Sequence, residues 1–349
     1  MGFESGERGV FPTAYEAERV ARSSRPVHRE SAWNVYLKSA ARRPLYGAMQ
    51  DPSNNPSTVS PDGSINSPHG MDNWEIVHGF LEQVLARDEL AVPILPEVAI
   101  RVVRSKGSTD ARQLSDIINA DPALTMYVLR VAASAAKRPE RPIASLQHAV
   151  AWLGFDEVAN IAFTLALQGK MLDVKGQQHK ARRLWRHSLA SALWSRQLAH
   201  MLAREAGVCY LCGLLHNIGK VVTLGAVHEL AQRAGKKLAS EEYDRLIETF
   251  HRHIGARVVT AWALPSPVLT VTSQWEAYAA AGAARFESNV VNVAHALADY
   301  TLHESTQVAR DLLVTSEAYR DVGLAAADGE ALFDSAAAIN AELDRYLAP

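Results

Sequence analysis

The chain has 349 residues, of which 48% are hydrophobic and 21% are charged. This composition is typical of a soluble globular protein and excludes the fibrous and fully disordered classes. Lys and Arg together number 36 against 38 for Asp and Glu, which gives a formal net charge of −2. No global field therefore directs the protein toward nucleic acid or an anionic membrane.

The sequence shows no targeting or membrane segment. No run approaches the roughly 18 apolar residues of a membrane span, and residues 1–9 contain two glutamates and no apolar signal-peptide core. We therefore expect a cytoplasmic location. Cys209 and Cys212 lie in one apolar stretch, and a structural zinc would need about two further soft ligands nearby. We predict that both are buried core cysteines.

Residues 1–73 are predicted to form a weakly ordered N-terminal extension and linker. Seven of the 15 prolines precede residue 70, and residues 51–72 contain only three clearly apolar side chains. Such a stretch buries too little apolar surface to offset the entropy of ordering it. Upstream, two short helices are predicted, one capped at Thr13 with Glu16 in capping-box spacing and one over residues 31–42. The second helix carries an apolar stripe that could instead dock on the main domain or on a partner, and this stripe consists of Trp33, Tyr36 and Leu37.

From residue 73 onward the spacing of apolar residues is helical, without the sustained alternation of strands. Asp121 before Pro122, and Ser145, are predicted helix N-caps. Helices are predicted at residues 74–85, 98–103, 123–133, 146–154, 182–206, 208–217, 241–263 and 289–302, with more up to residue 347. The fold class is therefore predicted to be all-α.

Several short motifs follow one another in a recognisable order. They are PILPEVA at 93–99, DPALT at 121–125, PIASL at 142–146, WRHS at 185–188, GLLHNIGK at 213–220, and His251 with Gly255, Trp262, Leu264 and Pro265. In this order they resemble the HDOD family over about residues 74–300. The resemblance implies a multi-helical fold with an N-terminal helical subdomain (74–175), an HD-like helical subdomain (176–310) and C-terminal helices packed on the latter (311–349).

The resemblance also implies a role in bacterial signalling. The HDOD family is related to HD-domain phosphohydrolases and to HD-GYP cyclic-dinucleotide phosphodiesterases, and its members are generally regarded as output or scaffold modules that have lost the parental chemistry. That chemistry uses one or two bound metals to activate water and hold a phosphate.

The same resemblance assigns the positions of the metal ligands. His187, His216 and Asp299 match expected ligands, whereas Asn217 stands where an aspartate is expected. His251 resembles a further histidine of the two-metal relatives. Where those relatives have a consecutive histidine pair, this chain has SQWE at 273–276, and no Gly-Tyr-Pro sequence occurs anywhere in it.

The residue at position 217 decides the expected chemistry. An asparagine offers a neutral amide oxygen, which binds cations far more weakly than a carboxylate does. We therefore expect no catalytic residue, no cofactor and no bound metal, with His187, His216, Asn217, His251 and Asp299 as vestigial positions. The alternative is a single divalent metal held by His187, His216 and Asp299, with one coordination position open.

Each of these residues also has a structural interpretation. His187 would be a partly buried, hydrogen-bonded imidazole, and His216 would satisfy carbonyl groups at the end of an apolar helix. Asn217 and Gly219 would adopt the left-handed conformations that end helices. If the pocket closes without water, Asp299 would be a buried carboxylate, so we predict that it pairs with His187 or His216.

We predict a non-catalytic cytoplasmic adaptor that acts through protein–protein interaction. Its expected partners are signalling proteins, including those of cyclic-dinucleotide pathways; self-association is left open and no membrane partner is expected. The alternative is a metal-dependent phosphohydrolase or a nucleotide-sensing protein that uses the residual site. Basic clusters at 137–141 and 180–186 lie at helix boundaries, where solvated charge is ordinary, so nucleic-acid binding is not expected.

Overall fold

A computed structural model describes residues 72–105, 110–133, 143–303, 307–325 and 327–347. All of these residues fall in one unit that spans residues 56–349. Within the described ranges every regular element is a helix, which confirms the all-α prediction. The predicted helices at Thr13 and at residues 31–42, the linker and the basic cluster at 137–141 lie outside the described residues. The predicted subdomain boundary near residue 175 stays a prediction.

The first six helices precede the segment that carries the candidate site. They are α1 (Asn73–Ala86), α2 (Glu97–Ser105), α3 (Ala111–Asn119), α4 (Pro122–Ala133), α5 (Leu146–Leu153) and α6 (Phe155–Leu172). Both predicted N-caps are confirmed. The Asp121 carboxylate accepts from the backbone N–H groups of Ala123 and Leu124 at 3.0 and 3.1 Å, and the Ser145 hydroxyl accepts from His148 N–H at 3.1 Å. Each cap satisfies helix-terminal donors that have no partner inside the helix.

The following helices build the site and its surroundings. They are α7 (Gln178–Met201), α8 (Ala206–Leu215), α9 (Ile218–Arg233), α10 (Ser240–Ala261), α11 (Ser266–Gln274) and α12 (Arg285–His303), with two short 3₁₀ turns (Trp275–Ala280 and Gly282–Ala284) between α11 and α12. The C-terminal helices are α13 (Gln307–Thr315), α14 (Glu317–Asp321), α15 (Asp328–Asp334) and α16 (Ala336–Leu347). Helix α7 ends at Met201 rather than at the predicted residue 206, because the chain turns at Ala203, which has a left-handed φ of 51°.

Helix α8 lies at the centre of the packing. It contacts α7, α12 and α11, and α7 in turn packs against α12 and α16. All residues of α8 after the first are buried except Val208. Cys209 and Cys212 are among the buried residues and do not form a disulfide with each other, which confirms the prediction of core cysteines.

Helices α8 and α9 together have the length and composition of a membrane span. The stretch Ala206–Arg233 has a hydropathy of 1.3 over its most apolar window, although we expected no such run. However, 89% of that window is buried inside the protein. A central helix of a globular core meets the same criteria, so the stretch is weak evidence for a membrane.

Candidate functional site

The candidate site forms where three helices meet. Helix α7 contributes His187, the C-terminal end of α8 contributes His216, and α12 contributes His295 and Asp299. Helices α7 and α8 approach closely at Gly213, where an added Cβ would lie only 2.7 Å from the Ser191 carbonyl oxygen. Glycine at this position therefore brings the end of α8 against α7 and places His216 beside His187.

The His216 ring is completely buried and has a fixed orientation. Its Nδ1 lies 2.7 Å from the Gly213 carbonyl oxygen, and because a carbonyl can only accept, Nδ1 must donate. This contact confirms that His216 satisfies a carbonyl group at a helix end. Burial, followed by the proximity of His295 and His187, lowers the pKa of His216 well below its ordinary value. The ring is therefore neutral, and its Nε2 presents a lone pair to the site.

His295 completes a group of three imidazoles that the sequence analysis missed. Its Nδ1 lies 3.1 Å from His216 Nε2, and one ring nitrogen from each of His187, His216 and His295 lies within 4.8 Å of the others. We call these three residues the imidazole cluster. Burial and the neighbouring His187 lower the pKa of His295 to about 4, although the carboxylate of Asp299 acts in the opposite direction. The missed signal was the spacing of four residues from Asp299, which places both side chains on one face of α12.

Asp299 stands at the edge of the imidazole cluster. Its Oδ1 lies 3.1 Å from His187 Nε2, which confirms the predicted pairing. Among the described residues, however, neither His187 ring nitrogen makes a hydrogen bond with acceptable geometry, so this contact is an ion-pair distance and not an aligned bond. The Asp299 side chain is 51% exposed, and the idea of a buried carboxylate is therefore wrong. The site opens to solvent on the side of Asp299.

Asn217 joins α8 to α9 without the predicted left-handed conformation. Its φ is −104°, and it serves as the N-cap residue of α9. The side chain is buried, and its Oδ1 has no hydrogen-bond partner among the described residues. The amide is therefore a buried neutral group directly after His216 in the sequence, and it carries no charge.

Gly219 is required for close helix packing and not for a left-handed turn. It lies within α9, and an added Cβ would come within 1.8 Å of the His251 carbonyl oxygen on α10. Gly255 on α10 lies across the same contact. The prediction of a left-handed helix end at Asn217 and Gly219 was wrong because helix α9 starts directly after α8 and leaves no room for such a turn.

His251 takes part in a separate group of charged residues. Its ring is buried, and Nε2 lies 3.4 Å from the Glu248 carboxylate, which also receives Lys220 Nζ at 2.6 Å. These two partners lower the pKa of Glu248 to about 2, with the close contact to His251 as the largest cause. His251 is not a member of the imidazole cluster in the described part of the chain.

The SQWE segment has a structural role in this chain. The Trp275 ring packs against His295 at a centroid distance of 4.5 Å and against His216 at 5.4 Å. The Ser273 hydroxyl donates to the Leu269 carbonyl at 2.9 Å, and Glu276 pairs with Arg252. An indole therefore covers one side of the imidazole cluster, where two-metal relatives were expected to supply histidines.

The donor set fits one transition-metal ion better than two. Three imidazoles and one carboxylate are ligands that suit Zn(II) and similar divalent cations. Two further buried atoms, His251 Nε2 and Trp275 Nε1, have no hydrogen-bond partner among the described residues, but the indole N–H is a donor and offers no lone pair to a cation. A second ion would lack both the bridging carboxylate and the additional imidazoles.

The second basic cluster, at 180–186, is partly neutralised. Lys180 pairs with Asp244 at 2.6 Å and Arg186 with Asp344 at 3.2 Å. Both contacts reduce the charge that this cluster could offer to a phosphate backbone.

The all-helical fold of the described residues agrees with the family that the sequence motifs indicate. The HDOD domain family model matches residues 92–278, which is more than half of the chain. The chain belongs to the HDOD family. A relative from Treponema pallidum (strain Nichols), an uncharacterised protein, is 28% identical over 189 residues; this alignment covers 51% of the present chain and 36% of the relative. The chain thus spans about a third of the length of the relative that it matches.

Solved structures share the fold. An HDOD domain protein of unknown function from Geobacter sulfurreducens has 22% identity and a TM-score of 0.60, covering 79% of this chain and 99% of that one. A provisionally assigned metal-dependent phosphohydrolase from Shewanella amazonensis SB2B has 23% identity and a TM-score of 0.59, covering 78% and 100%. A provisionally assigned signal transduction protein from Marinobacter aquaeolei VT8 has 24% identity and a TM-score of 0.54, covering 79% and 67%.

Proposed function

We propose that this protein is a non-catalytic signalling adaptor of the bacterial cytoplasm that acts by binding other signalling proteins. Membership of the HDOD family supports the general role. The observation that carries the proposal is the uncharged amide of Asn217, which is buried directly after His216 in the sequence, at the position where the family resemblance expects an aspartate.

The loss of that carboxylate matters because of what phosphate hydrolysis requires. A metal pair needs a bridging anion, and it must activate a water molecule while it clamps the phosphate. In this chain Asp299 is the one carboxylate within ion-pair distance of the imidazole cluster among the described residues. Glu248 is already paired with Lys220 and His251. The indole of Trp275 also covers one side of the imidazoles.

A test of the adaptor role is crosslinking of the full chain in its native cells, followed by purification and mass spectrometry. We expect a complex of defined stoichiometry with another signalling protein. Because complex formation does not depend on chemistry at the site, Asp299→Asn should form the same complex. A protein that forms no such complex but turns over a phosphodiester would contradict the proposal.

The second candidate is a metal-dependent phosphohydrolase or a nucleotide sensor. The convergence of His187, His216 and Asp299, together with the half-exposed position of Asp299, favours this alternative. A phosphohydrolase would show metal-dependent turnover that His216→Ala removes. A sensor would show an increase in Tm with a nucleotide but no turnover, because a ligand that binds only the folded state stabilises it.

A further inference from the structure

The tautomer of His216 determines which of its ring nitrogens faces the imidazole cluster with a lone pair. Nδ1 of His216 must donate to the Gly213 carbonyl, so Nε2 of the neutral ring carries a lone pair that faces His295 Nδ1 at 3.1 Å. The other nitrogen of His295, Nε2, lies 3.7 Å from Asp299 Oδ2.

His295 presents one ring nitrogen to His216 and the other toward Asp299, so that it stands between these two side chains. His187 adds two further buried ring nitrogens that make no hydrogen bond among the described residues. The cluster therefore gathers buried ring nitrogens that lack hydrogen-bond partners among the described residues, and a bound cation would satisfy them.

The separations also suit a metal ion. Two ligands on a tetrahedral zinc, each at about 2.0 to 2.1 Å, lie about 3.3 Å from each other. The pair His216 Nε2 and His295 Nδ1 at 3.1 Å is close to this value, and so is the pair His187 Nε2 and Asp299 Oδ1 at 3.1 Å. His216 further shows the feature typical of a metal-bound histidine, since its remote nitrogen donates to a backbone carbonyl and so fixes the ring.

We propose that His187, His216, His295 and Asp299 bind one borderline-soft divalent cation, of the type represented by Zn(II), and that this ion ties α7, α8 and α12 together. Four protein ligands would fill a tetrahedral shell, which is the arrangement of structural and not catalytic zinc sites. The site differs from the HD-type pattern because it depends on His295 and makes no use of position 217 or of His251. The proposal of this ion is independent of the adaptor role, since an adaptor with or without the ion would bind the same partner.

The test is zinc binding by the full chain after treatment with a chelator, followed by titration calorimetry and by the visible spectrum of the Co(II)-substituted protein. We expect one equivalent of Zn(II) and the intense absorption of tetrahedral Co(II). At a zinc concentration of about 100 times Kd, the Tm should rise by about 5 °C, as expected for a ligand that binds only the folded state.

Two variants and one control identify the ligands. His295→Ala should weaken zinc binding by at least about 100-fold, since weakening a partner in the outer shell of a metal already costs about 10 to 100-fold. Asp299→Ala should weaken it by at least about tenfold and should fold normally, because the side chain lies half-exposed at the mouth of the site. His253→Ala removes an exposed histidine of α10 and should leave the affinity unchanged.

Three results would overturn the proposal. They are the absence of zinc binding by the folded protein, binding of two equivalents, and an affinity that His295→Ala leaves unchanged. If His295→Ala fails to fold, Asp299→Ala decides between the outcomes, and an unchanged affinity and Co(II) spectrum in that variant would overturn it.

Discussion

The orientation of the His216 ring determines what the site offers to a ligand. One nitrogen is committed to the Gly213 carbonyl and the other faces His295. Asn217, the next residue, contributes a buried amide where a hydrolase of the HD type would have a charge. Trp275, the first residue of the 3₁₀ turn that follows α11, packs against the rings of His216 and His295. Both position 217 and position 275 therefore differ from the HD-type pattern that the family resemblance implies.

A single restoring change should not recover a two-metal centre. Asn217→Asp adds a buried carboxylate directly after His216, but the second ion would still lack ligands because Trp275 lies against His216 and His295. We expect no more than one equivalent of metal by elemental mass spectrometry. We also expect a lower Tm without metal, because a buried carboxylate without a partner is costly. Asn217→Ala is the matched control, and two bound metals with hydrolysis in Asn217→Asp would refute this explanation.

At the scale of helices, glycines determine how closely the elements of the site approach. Gly213 allows α8 to reach α7, and Gly219 allows α9 to reach α10. Neither glycine has a positive φ, so the need is for space and not for backbone freedom. These contacts fix His216, which follows Gly213 by one turn, relative to His187.

Gly219→Ala should destabilise the protein by about 2 kcal/mol or more, because overpacking typically costs about 1 to 3 kcal/mol and the added Cβ would overlap the His251 carbonyl group. The matched control is Gly169→Ala in α6, where an added Cβ meets nothing within 4 Å. That change should stabilise by up to about 1 kcal/mol through helix propensity. Urea unfolding monitored by circular dichroism measures both. Equal stability of the two variants would show that the α9–α10 contact can relax.

The C-terminal helix α16 is held against α7 by a cluster of charged side chains around Arg196. Arg196 contacts Glu157 on α6, and it binds both oxygens of Glu342 on α16 at 2.8 and 2.9 Å. All three side chains are mostly buried. Burial opposes the charge on Arg196, but the two glutamates outweigh this effect and raise its pKa.

The double variant Glu157→Gln with Glu342→Gln should cost about 3 to 5 kcal/mol, because it leaves a buried charge without a partner. Arg196→Met with both glutamates replaced by Leu should cost less, since a well-packed apolar group often substitutes for a buried ion group without loss. The free energy of unfolding in urea distinguishes these cases. A triple variant that is as unstable as the double variant would show that packing and not charge decides the attachment of α16.

At the scale of the molecule, the sequence predicted the fold class, the family and most of the residues near the site. The helix N-caps at Asp121 and Ser145 were confirmed, because a cap depends only on residues that are close in the sequence. Helix α6 is one of the helices that were not predicted, because residues such as Val158, Phe163 and Leu167 are buried on several of its faces and leave no clear amphipathic period. The sequence analysis did not find His295, because this residue belongs to no quoted motif and acquires its place only when α12 packs against α7 and α8.

The protein belongs to the HDOD family, and Asp299 is the one carboxylate within ion-pair distance of its imidazole cluster among the described residues. Because Asn217 is uncharged and Trp275 covers one side of the imidazoles, we predict that the protein is inactive even when it carries a metal. The regulatory role that we propose therefore depends on binding and not on turnover.

The most direct test of this claim is hydrolysis of cyclic di-GMP and of bis(p-nitrophenyl) phosphate by the full chain, measured on protein with a known content of zinc or manganese. The account predicts a rate no higher than that of His216→Ala under the same conditions. A metal-dependent rate that exceeds this background, scales with the bound metal and disappears in His216→Ala would contradict it.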